Sequence, residues 1–313
     1  MYSKTQGVFY LFPDRSGSSG RQRFVFTSKS GITVILESAG ITDVGKKRKA
    51  NEDALFLDDD LGLYVVADGM GGHRAGEVAS SIVVQTIRDD MIRFKANGQG
   101  GDPETIDETL SPEANQVLYS IEHANTGVNQ SSRSNNAYRG MGSTVSITYF
   151  TANSMVVANV GDSPIYLVHN GSIEELSVPH TVMAEQAAMN PGGARQLGAE
   201  FRHMLTQAMG IEETVSPDIC EMPYFKGDRL VLCSDGLSDK VSPDEILGVV
   251  SKMRPKKACT ALVDMANERG GDDNITIIIL RVLKTVNRGG FSIFKPFSWL
   301  AERMFNYPLK KIF

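Results

Sequence analysis

The chain has 313 residues, of which 41% are hydrophobic, enough to bury a sizeable core in one large domain or two smaller ones. Its formal charge is -5, from 37 acidic and 32 basic residues, and this mild acidic excess argues against a general binder of nucleic acids. The three cysteines have an odd count and no CxxC spacing, which argues against a disulfide framework or a zinc cage.

The sequence predicts a cytoplasmic protein. Its first residues contain only a short apolar stretch, from Val8 to Phe12, which Pro13 ends. Such a stretch is too short for the apolar region of a signal peptide. No apolar run approaches the length of a membrane span, and the few cysteines suit a reducing compartment.

The first predicted elements follow an extension. Residues 1–30 are rich in Ser, Gly and Arg without periodicity, so we expect a loosely ordered segment before a domain of residues 31–283. Three strands are predicted next, at GITVILESAG, DALFLDDD and LGLYVVAD. Apolar residues at helical spacing from Ala75 to Phe94 predict a long helix, and Ser111 with Pro112 predicts the start of a second.

The second half of the chain is rich in short strands. Four are predicted at GSTVSITYF, SMVVANV, SPIYLVHN and SIEELS, and two more, at DICEMPY and DRLVLCSD, follow an irregular stretch at 179–203. Two helices, one with Ser242 as cap and Glu245 completing a capping box, precede a last strand at NITIIILRVL. About ten strands and four helices, without strict alternation, predict an α+β fold of packed antiparallel sheets with helices outside.

Four aspartates stand at the ends of predicted strands, each beside glycine or another turn-forming residue. They are Asp68, Asp162, Asp235 and Asp273. One such residue usually marks a turn, but four together favour carboxylates that project from rigid sheets into a common cleft. Carboxylates without a histidine or cysteine cluster suit Mg²⁺ or Mn²⁺. A pair of these ions activates a bridging water and clamps phosphoryl oxygens, so hydrolysis would need no protein nucleophile.

A basic segment, GKKRKANED at 45–53, precedes the second predicted strand of the domain. A lone basic run such as Lys46–Lys49 is more often a solvated surface. Its position directly before Asn51, Glu52 and Asp53 favours a functional role. The guanidinium fork of Arg48 can bind a phosphate dianion through two hydrogen bonds, as lysine cannot.

Seven stretches, spread in order over roughly residues 36–282, resemble the protein phosphatase 2C family of metal-dependent serine/threonine phosphatases, and look closest to bacterial members. The stretches are RKANEDA, VVADGMGGH, MGSTV, NVGDS, LTQAMG, GDRLVLCSDGLSD and GDDNITIIIL. The resemblance implies a four-layer β-sandwich, in which helices flank two antiparallel sheets on both faces. It also implies a binuclear Mn²⁺/Mg²⁺ centre in a cleft at one end of the sandwich, where a metal-bridging water attacks phosphoserine or phosphothreonine.

The resemblance also implies which residues bind the two metals. Asp68 would bridge both ions, and the carbonyl of Gly69 would complete one site. Asp235 and Asp273 would hold the other ion.

Further residues match supporting positions of the family. Glu52 and Asp53 would orient metal-bound waters, Arg48 would bind the substrate phosphate, and Asn274 would support the metal cleft. Many bacterial members hold a third, weaker metal. Asp162 and Asp239 match its ligands, together with Asp235.

The chain departs from the family at several positions near the cleft. Met70 stands where eukaryotic members usually carry a histidine that is a proposed general acid; His73 or a metal-bound water could replace it. Pro164 stands in place of a common arginine, and Pro179 in place of an aspartate before His180. Residues 181–203 match a variable flap, either a mobile element beside the cleft or an ordinary surface segment.

A tail at residues 284–313 is amphipathic, aromatic and basic, which favours self-packing or docking on a partner over contact with a membrane. The expected partners are phosphorylated proteins, among them a Ser/Thr kinase or its targets. Two alternatives to the phosphatase remain. One is a catalytically silent regulator that binds a phosphoprotein or kinase on the same fold, and the other is hydrolysis of a small phosphorylated metabolite.

Overall fold

A computed structural model describes residues 8–9, 24–27, 33–71, 75–97, 107–152, 154–189, 198, 201 and 203–286. Two short strands lie within the predicted extension, and most of that extension and of the tail falls outside the described residues. The boundaries at 30 and 284 therefore stay predictions. Among the described helices, none has the length and apolar character needed to cross a membrane.

The described residues form thirteen strands. They are β1 Val8–Phe9, β2 Phe24–Thr27, β3 Thr33–Asp43, β4 Asp53–Asp58, β5 Leu63–Met70, β6 Gly142–Ser143, β7 Val145–Phe150, β8 Met155–Val160, β9 Ile165–His169, β10 Ser172–Glu175, β11 Asp218–Met222, β12 Arg229–Cys233 and β13 Ile275–Val286. Their six α-helices are α1 Ala75–Asn97, α2 Pro112–Ser134, α3 Val182–Met189, α4 Asp235–Ser238, α5 Pro243–Val250 and α6 Pro255–Glu268, and a 3₁₀ helix spans Asn136–Tyr138.

The strands form two antiparallel sheets. The first has the order β1-β3-β13-β12-β9-β10, with β2 also pairing with β3. The second has the order β11-β8-β7-β5-β4, and β6 extends it by pairing with the end of β5. All of these pairs are antiparallel, as expected for strands connected by hairpins.

Three apolar cores hold four layers together. Helices α1 and α2 pack on the second sheet, where Ile87, Ile121 and Ile147 are fully buried. Side chains such as Leu232 fill the space between the sheets, and α4, α5 and α6 pack on the outer face of the first sheet around Leu262. Full burial of each such side chain is worth about 1.5–3 kcal/mol. The predicted α+β sandwich, with helices on both faces, is confirmed.

The predicted helix starts are also present. The Ser111 side chain accepts a hydrogen bond from the backbone of Ala114 at 3.1 Å, and Pro112 is the first residue of α2. Ser242 and Glu245 form the predicted capping box of α5. These starts follow from local chemistry, because each cap satisfies backbone donors that the first helical turn leaves free.

Candidate metal centre

Two strand registers bring the predicted carboxylates to one end of the sandwich. In the second sheet Asp53 lies directly opposite Asp68. In the first sheet Ile275 lies opposite Asp43, so Asp273 stands beside the loop that leaves β3. Because the two sheets stack face to face, these ends meet over the same cleft.

The backbone around Asp68 is fixed on both sides. Its N–H donates to the Thr144 hydroxyl at 3.0 Å, and its carbonyl accepts from the Thr144 N–H at 2.8 Å and the Ser143 hydroxyl at 3.0 Å. These contacts tie the end of β5 to the segment between β6 and β7. The carboxylate of Asp68 therefore projects from a rigid strand.

Gly69 lies where three segments approach closely. A Cβ at this position would stand 2.1 Å from the carbonyl oxygen of Gly76 and 2.5 Å from that of Glu52. The Gly69 N–H donates to the Glu52 carbonyl at 3.1 Å. Only glycine fits here, because any side chain would force β5 away from β4 and α1.

Ser234 joins the two sheets beneath the cleft. Its hydroxyl donates to the Asp53 carboxylate at 2.8 Å and accepts from the Thr276 N–H at 3.0 Å. Asp235 follows as the first residue of α4. A Cβ at Gly236 would lie 2.0 Å from the Asn274 carbonyl oxygen, so glycine lets α4 sit against β13.

Asn274 holds the basic segment against the centre. Its side-chain amide donates to the carbonyls of Val44 and Ala50, at 3.1 and 3.0 Å, and its side-chain oxygen accepts from the Glu52 N–H at 2.8 Å. Arg48 forms an ion pair with Asp273, with its Nη2 2.7 Å from Oδ2. The segment 44–52 is thereby fixed beside the carboxylates.

These groups surround a cavity of about 250 Å³. It is lined by Arg48, Glu52, Asp68, Gly69, Met70, Gly71, Thr144, Asp162, His203, Leu205, Asp235, Asp273 and Asn274. Of the predicted site residues, Asp53 and Asp239 are absent from this lining. Asp53 is buried beneath the cavity floor, and Asp239 lies at the C-terminal end of α4.

A histidine that the sequence did not predict lies at the predicted third-metal position. His203 Nε2 is 3.4 Å from Asp239 Oδ2, and its Nδ1 is 3.8 Å from Asp235 Oδ2. One ligand atom from each of Asp162, His203 and Asp235 falls within 4.8 Å of the others. The sequence gave no periodic signal for this residue, because it lies in the irregular stretch 179–203 rather than at a strand end.

The crowded carboxylates hold protons more tightly than usual. Burial, reinforced by Asp53, Asp235 and Asp273, raises the pKa of Asp68 well above 3.8. Burial raises the pKa of Asp53 to about 7 and that of Asp162 to about 6, and neighbouring carboxylates add to both shifts. Burial is also the largest cause of the raised pKa values of Asp235 and Glu52.

The residues around the cavity fit hard divalent cations. At the cavity and directly beneath it, three buried carboxylate oxygens lack a hydrogen-bond partner among the described residues: Glu52 Oε1, Asp53 Oδ1 and Asp235 Oδ1. Buried oxygens that protein donors leave unsatisfied, in a site made of carboxylates, are what Mg²⁺ or Mn²⁺ coordination requires. Burial and, to a smaller extent, the neighbouring negative charges raise the pKa values of these carboxyl groups, and a bound cation would oppose both effects.

The structure shows what surrounds the positions at which the sequence departs from the family pattern. Met70 lines the cavity, and its thioether carries no proton to donate. The Pro164 carbonyl accepts from the Cys233 N–H at 3.2 Å. His180 is buried and accepts from the Gly161 N–H at 3.3 Å. His73 and residues 190–197 of the flap lie outside the described residues.

Comparison with known proteins agrees with this architecture. A family model for protein phosphatase 2C matches residues 45–275. The serine/threonine phosphatase Stp of Listeria monocytogenes is 32% identical over 244 residues, which make up 76% of this chain and 93% of that protein.

Two solved structures extend the likeness to the fold. The serine/threonine phosphatase of S. agalactiae superposes with a TM-score of 0.66 and 31% identity, covering 79% of this chain and 99% of that chain. The catalytic domain of the phosphatase PstP, solved in complex with two manganese ions, superposes with a TM-score of 0.67 and 27% identity over 80% of this chain and all of that one. The chain belongs to the protein phosphatase 2C family.

Proposed function

We propose that this protein is a metal-dependent phosphatase that hydrolyses phosphoserine and phosphothreonine in proteins at a binuclear Mn²⁺ or Mg²⁺ centre. The observation that carries the proposal is the convergence of half-buried carboxylates, from the ends of both sheets, on one cavity with Arg48 in its wall. Relatives named as serine/threonine phosphatases, and a neighbour that holds two manganese ions, support the reaction class and the metal.

Four residues would hold the two metals. Asp68 would contact both, the Gly69 carbonyl would complete one site, and Asp235 and Asp273 would bind the other. Such a pair of cations activates water and neutralises the charge that develops on phosphoryl oxygens. The unpartnered oxygen of Asp235 and the place of all four residues in the cavity lining support these assignments.

Other residues would position the substrate and the solvent of the site. Arg48 would bind the phosphate through its guanidinium fork, which its place in the cavity wall supports. Glu52 and Asp53 would orient water, and Asn274 would keep the segment 44–52 in place through its three hydrogen bonds.

A third, weaker metal would bind beside the main centre. Asp162 and Asp239 would hold it together with Asp235. The proximity of His203 to these carboxylates supports a cation site there.

Replacing Asp68 with asparagine tests the proposal. Asp68→Asn removes a negative charge from the centre and should lower Mn²⁺-dependent hydrolysis of p-nitrophenyl phosphate by more than about 100-fold. The circular dichroism spectrum should not change, because the amide fills the same space. Asp89→Asn, on the exposed face of α1, is the matched control and should retain full activity. Activity retained by Asp68→Asn would refute the metal assignment.

A phosphopeptide assay tests the alternative of a catalytically silent regulator. Wild-type protein that binds phosphopeptides without hydrolysing them, in either Mn²⁺ or Mg²⁺, would favour this alternative.

We infer that the partners are phosphoproteins, including a Ser/Thr kinase or its targets, and that the location is cytoplasmic. The free and buried state of Cys220, Cys233 and Cys259 supports a reducing compartment.

A further inference from the structure

Four consecutive cations include one residue of the cavity lining, Arg48. We call Lys46, Lys47, Arg48 and Lys49 the basic rim; all four residues are exposed. Consecutive Cα atoms are about 3.8 Å apart, so the backbone of the three lysines lies within about 8 Å of that of Arg48. The proposed hydrolysis uses Arg48 alone, which leaves the three lysines without a role.

The backbone of the basic rim is held against the metal-binding end of β13. The N–H groups of Lys46 and Lys47 both donate to the Gly271 carbonyl, at 2.8 and 3.1 Å. The preceding Gly45 has φ of 75°, and a Cβ there would lie 2.2 Å from the Asp273 carbonyl oxygen. The rim is therefore a fixed turn that only glycine permits at its start, rather than a freely solvated loop.

Two of the four cations are paired with the neighbouring carboxylates. Lys47 Nζ is 2.5 Å from Asp272 Oδ1, and Asp272 also binds Lys240. Arg48 pairs with Asp273. Among the described residues, no carboxylate pairs with Lys46 or Lys49. The rim thus carries a surplus of positive charge in a chain whose net charge is -5.

In the part of the chain that the structure describes, the rest of the cavity lining contains no lysine and no other arginine. It includes Asp162 and His203, with Asp239 3.4 Å from the histidine ring. A phosphorylated segment whose phosphate reaches Arg48 brings the side chains beside the phosphorylated residue near Lys46 and Lys49, which lie two residues before and one residue after Arg48. Exposed charges interact over about 8 Å at physiological salt. Acidic side chains there are attracted, and basic ones are repelled.

We propose that the basic rim selects phosphoprotein segments that carry acidic residues beside the phosphorylated residue, with Lys46 and Lys49 as the specificity-determining side chains. The proposal rests on the proposed phosphatase function. The two lysines are proposed to affect which substrates bind and not the hydrolysis of the phosphate ester, because neither lysine lines the cavity.

Three synthetic phosphothreonine peptides test the proposal. They differ only in having glutamate, alanine or lysine on both sides of the phosphothreonine. The wild-type protein with Mn²⁺ should hydrolyse the glutamate peptide with a kcat/KM about fivefold above the alanine peptide and further above the lysine peptide, mainly through KM. Raising the salt concentration should shrink the difference, because exposed charges are screened.

The double variant Lys46→Ala/Lys49→Ala should hydrolyse the three peptides at rates within about twofold of one another. Its activity on p-nitrophenyl phosphate should equal that of the wild type. Lys257→Ala is the matched control, because Lys257 is exposed at the start of α6 and Gly271 follows the end of this helix, about 20 Å away. This control should keep the full preference.

Equal hydrolysis of the three peptides by the wild type, or an unchanged preference in the double variant, would overturn the inference while the phosphatase function stands. Absence of hydrolysis of both the peptides and p-nitrophenyl phosphate would instead overturn the phosphatase function. The two failures are therefore distinguishable.

Discussion

At the mouth of the cavity, the Arg48 side chain can pair either with Asp273 or with the substrate phosphate. In the structure it forms an ion pair with Asp273, and our proposal assigns it the phosphate of the substrate. A cation bound at Asp273 would weaken the ion pair and leave the guanidinium available to an anion. One side chain would thus neutralise the metal-free site and bind substrate in the loaded one.

Replacing Arg48 with lysine distinguishes the effect of the positive charge from that of the planar guanidinium group on phosphate binding. Arg48→Lys keeps a positive charge near Asp273 but loses the planar fork, so we expect KM for p-nitrophenyl phosphate to rise about tenfold with a smaller change in kcat. Steady-state kinetics at saturating Mn²⁺ measures both values. An unchanged KM would mean that Arg48 does not contact the phosphate. The control variant Lys49→Ala changes the neighbouring residue and should leave both kcat and KM unaltered.

At the residue scale, a local sequence pattern pointed to two positions that the structure places at the cavity, and their role as metal ligands stays a prediction. Asp68 and Asp235 each follow an apolar strand and precede glycine, and the structure brings both to the cavity. His203 carried no such pattern, because its neighbours in space, Asp162 and Asp239, come from distant parts of the chain. Only the tertiary fold brings these groups together.

At the scale of elements, α4 is a four-residue helix that depends on its contacts. It spans Asp235–Ser238 and could not form in isolation, because so short a helix does not offset the unfavourable nucleation of its first turn. Its packing against β13 requires Gly236, since a Cβ there would lie 2.0 Å from the Asn274 carbonyl oxygen. This explains why no helical periodicity indicated α4.

Two glycine-to-alanine substitutions test this dependence. Gly236→Ala should force α4 away from β13, destabilise the protein by about 1–3 kcal/mol and reduce Mn²⁺ affinity through displacement of Asp235. Gly248→Ala, in α5, has open space around the added methyl group and should stabilise the protein by about 0.4–1 kcal/mol. Urea denaturation and Mn²⁺ titration of both variants check the contrast. Equal effects in the two variants would contradict it.

The helix starts that were predicted correctly have local determinants, as does the turn between β9 and β10. Ser111 with Pro112, and the Ser242–Glu245 capping box, start α2 and α5 through contacts within one turn. Asn170 and Gly171 form the tight turn between β9 and β10, both with positive φ. The strand β6, by contrast, has two residues and exists because it pairs with Gly69 and Met70 of β5. Such pairing is a property of the fold and not of the segment.

At the scale of the whole molecule, the proposed metal centre stands where the two sheets meet, so it would connect folding to the binding of protons and metal. Asp53 belongs to one sheet and accepts a hydrogen bond from Ser234, which follows β12 of the other. Burial raises the pKa of Asp53 from 3.8 to about 7 in the metal-free protein. In the unfolded chain the same carboxyl titrates near its ordinary value.

The sign of the resulting pH dependence follows from the two pKa values of Asp53. Between pH 4 and 7 the folded protein holds a proton that the unfolded chain has released. The contribution of Asp53 to the unfolding free energy of the metal-free protein therefore falls as pH rises through this range. Below about pH 4 the contribution is fully present, and above about pH 7 it is lost.

A bound divalent metal should oppose this loss of stability with rising pH. Cations bind deprotonated carboxylates and only the folded chain presents them together, so metal affinity and its stabilising effect should both grow with pH. Without metal, we expect the thermal unfolding midpoint to fall from pH 5 to pH 8 by at least about 3 °C. Saturating Mn²⁺ should raise the midpoint more at pH 8 than at pH 5. Asp53→Asn removes one of the carboxyl groups with a raised pKa and should make the metal-free profile shallower. A metal-free wild-type profile that is already flat would show that the buried carboxylate does not govern stability.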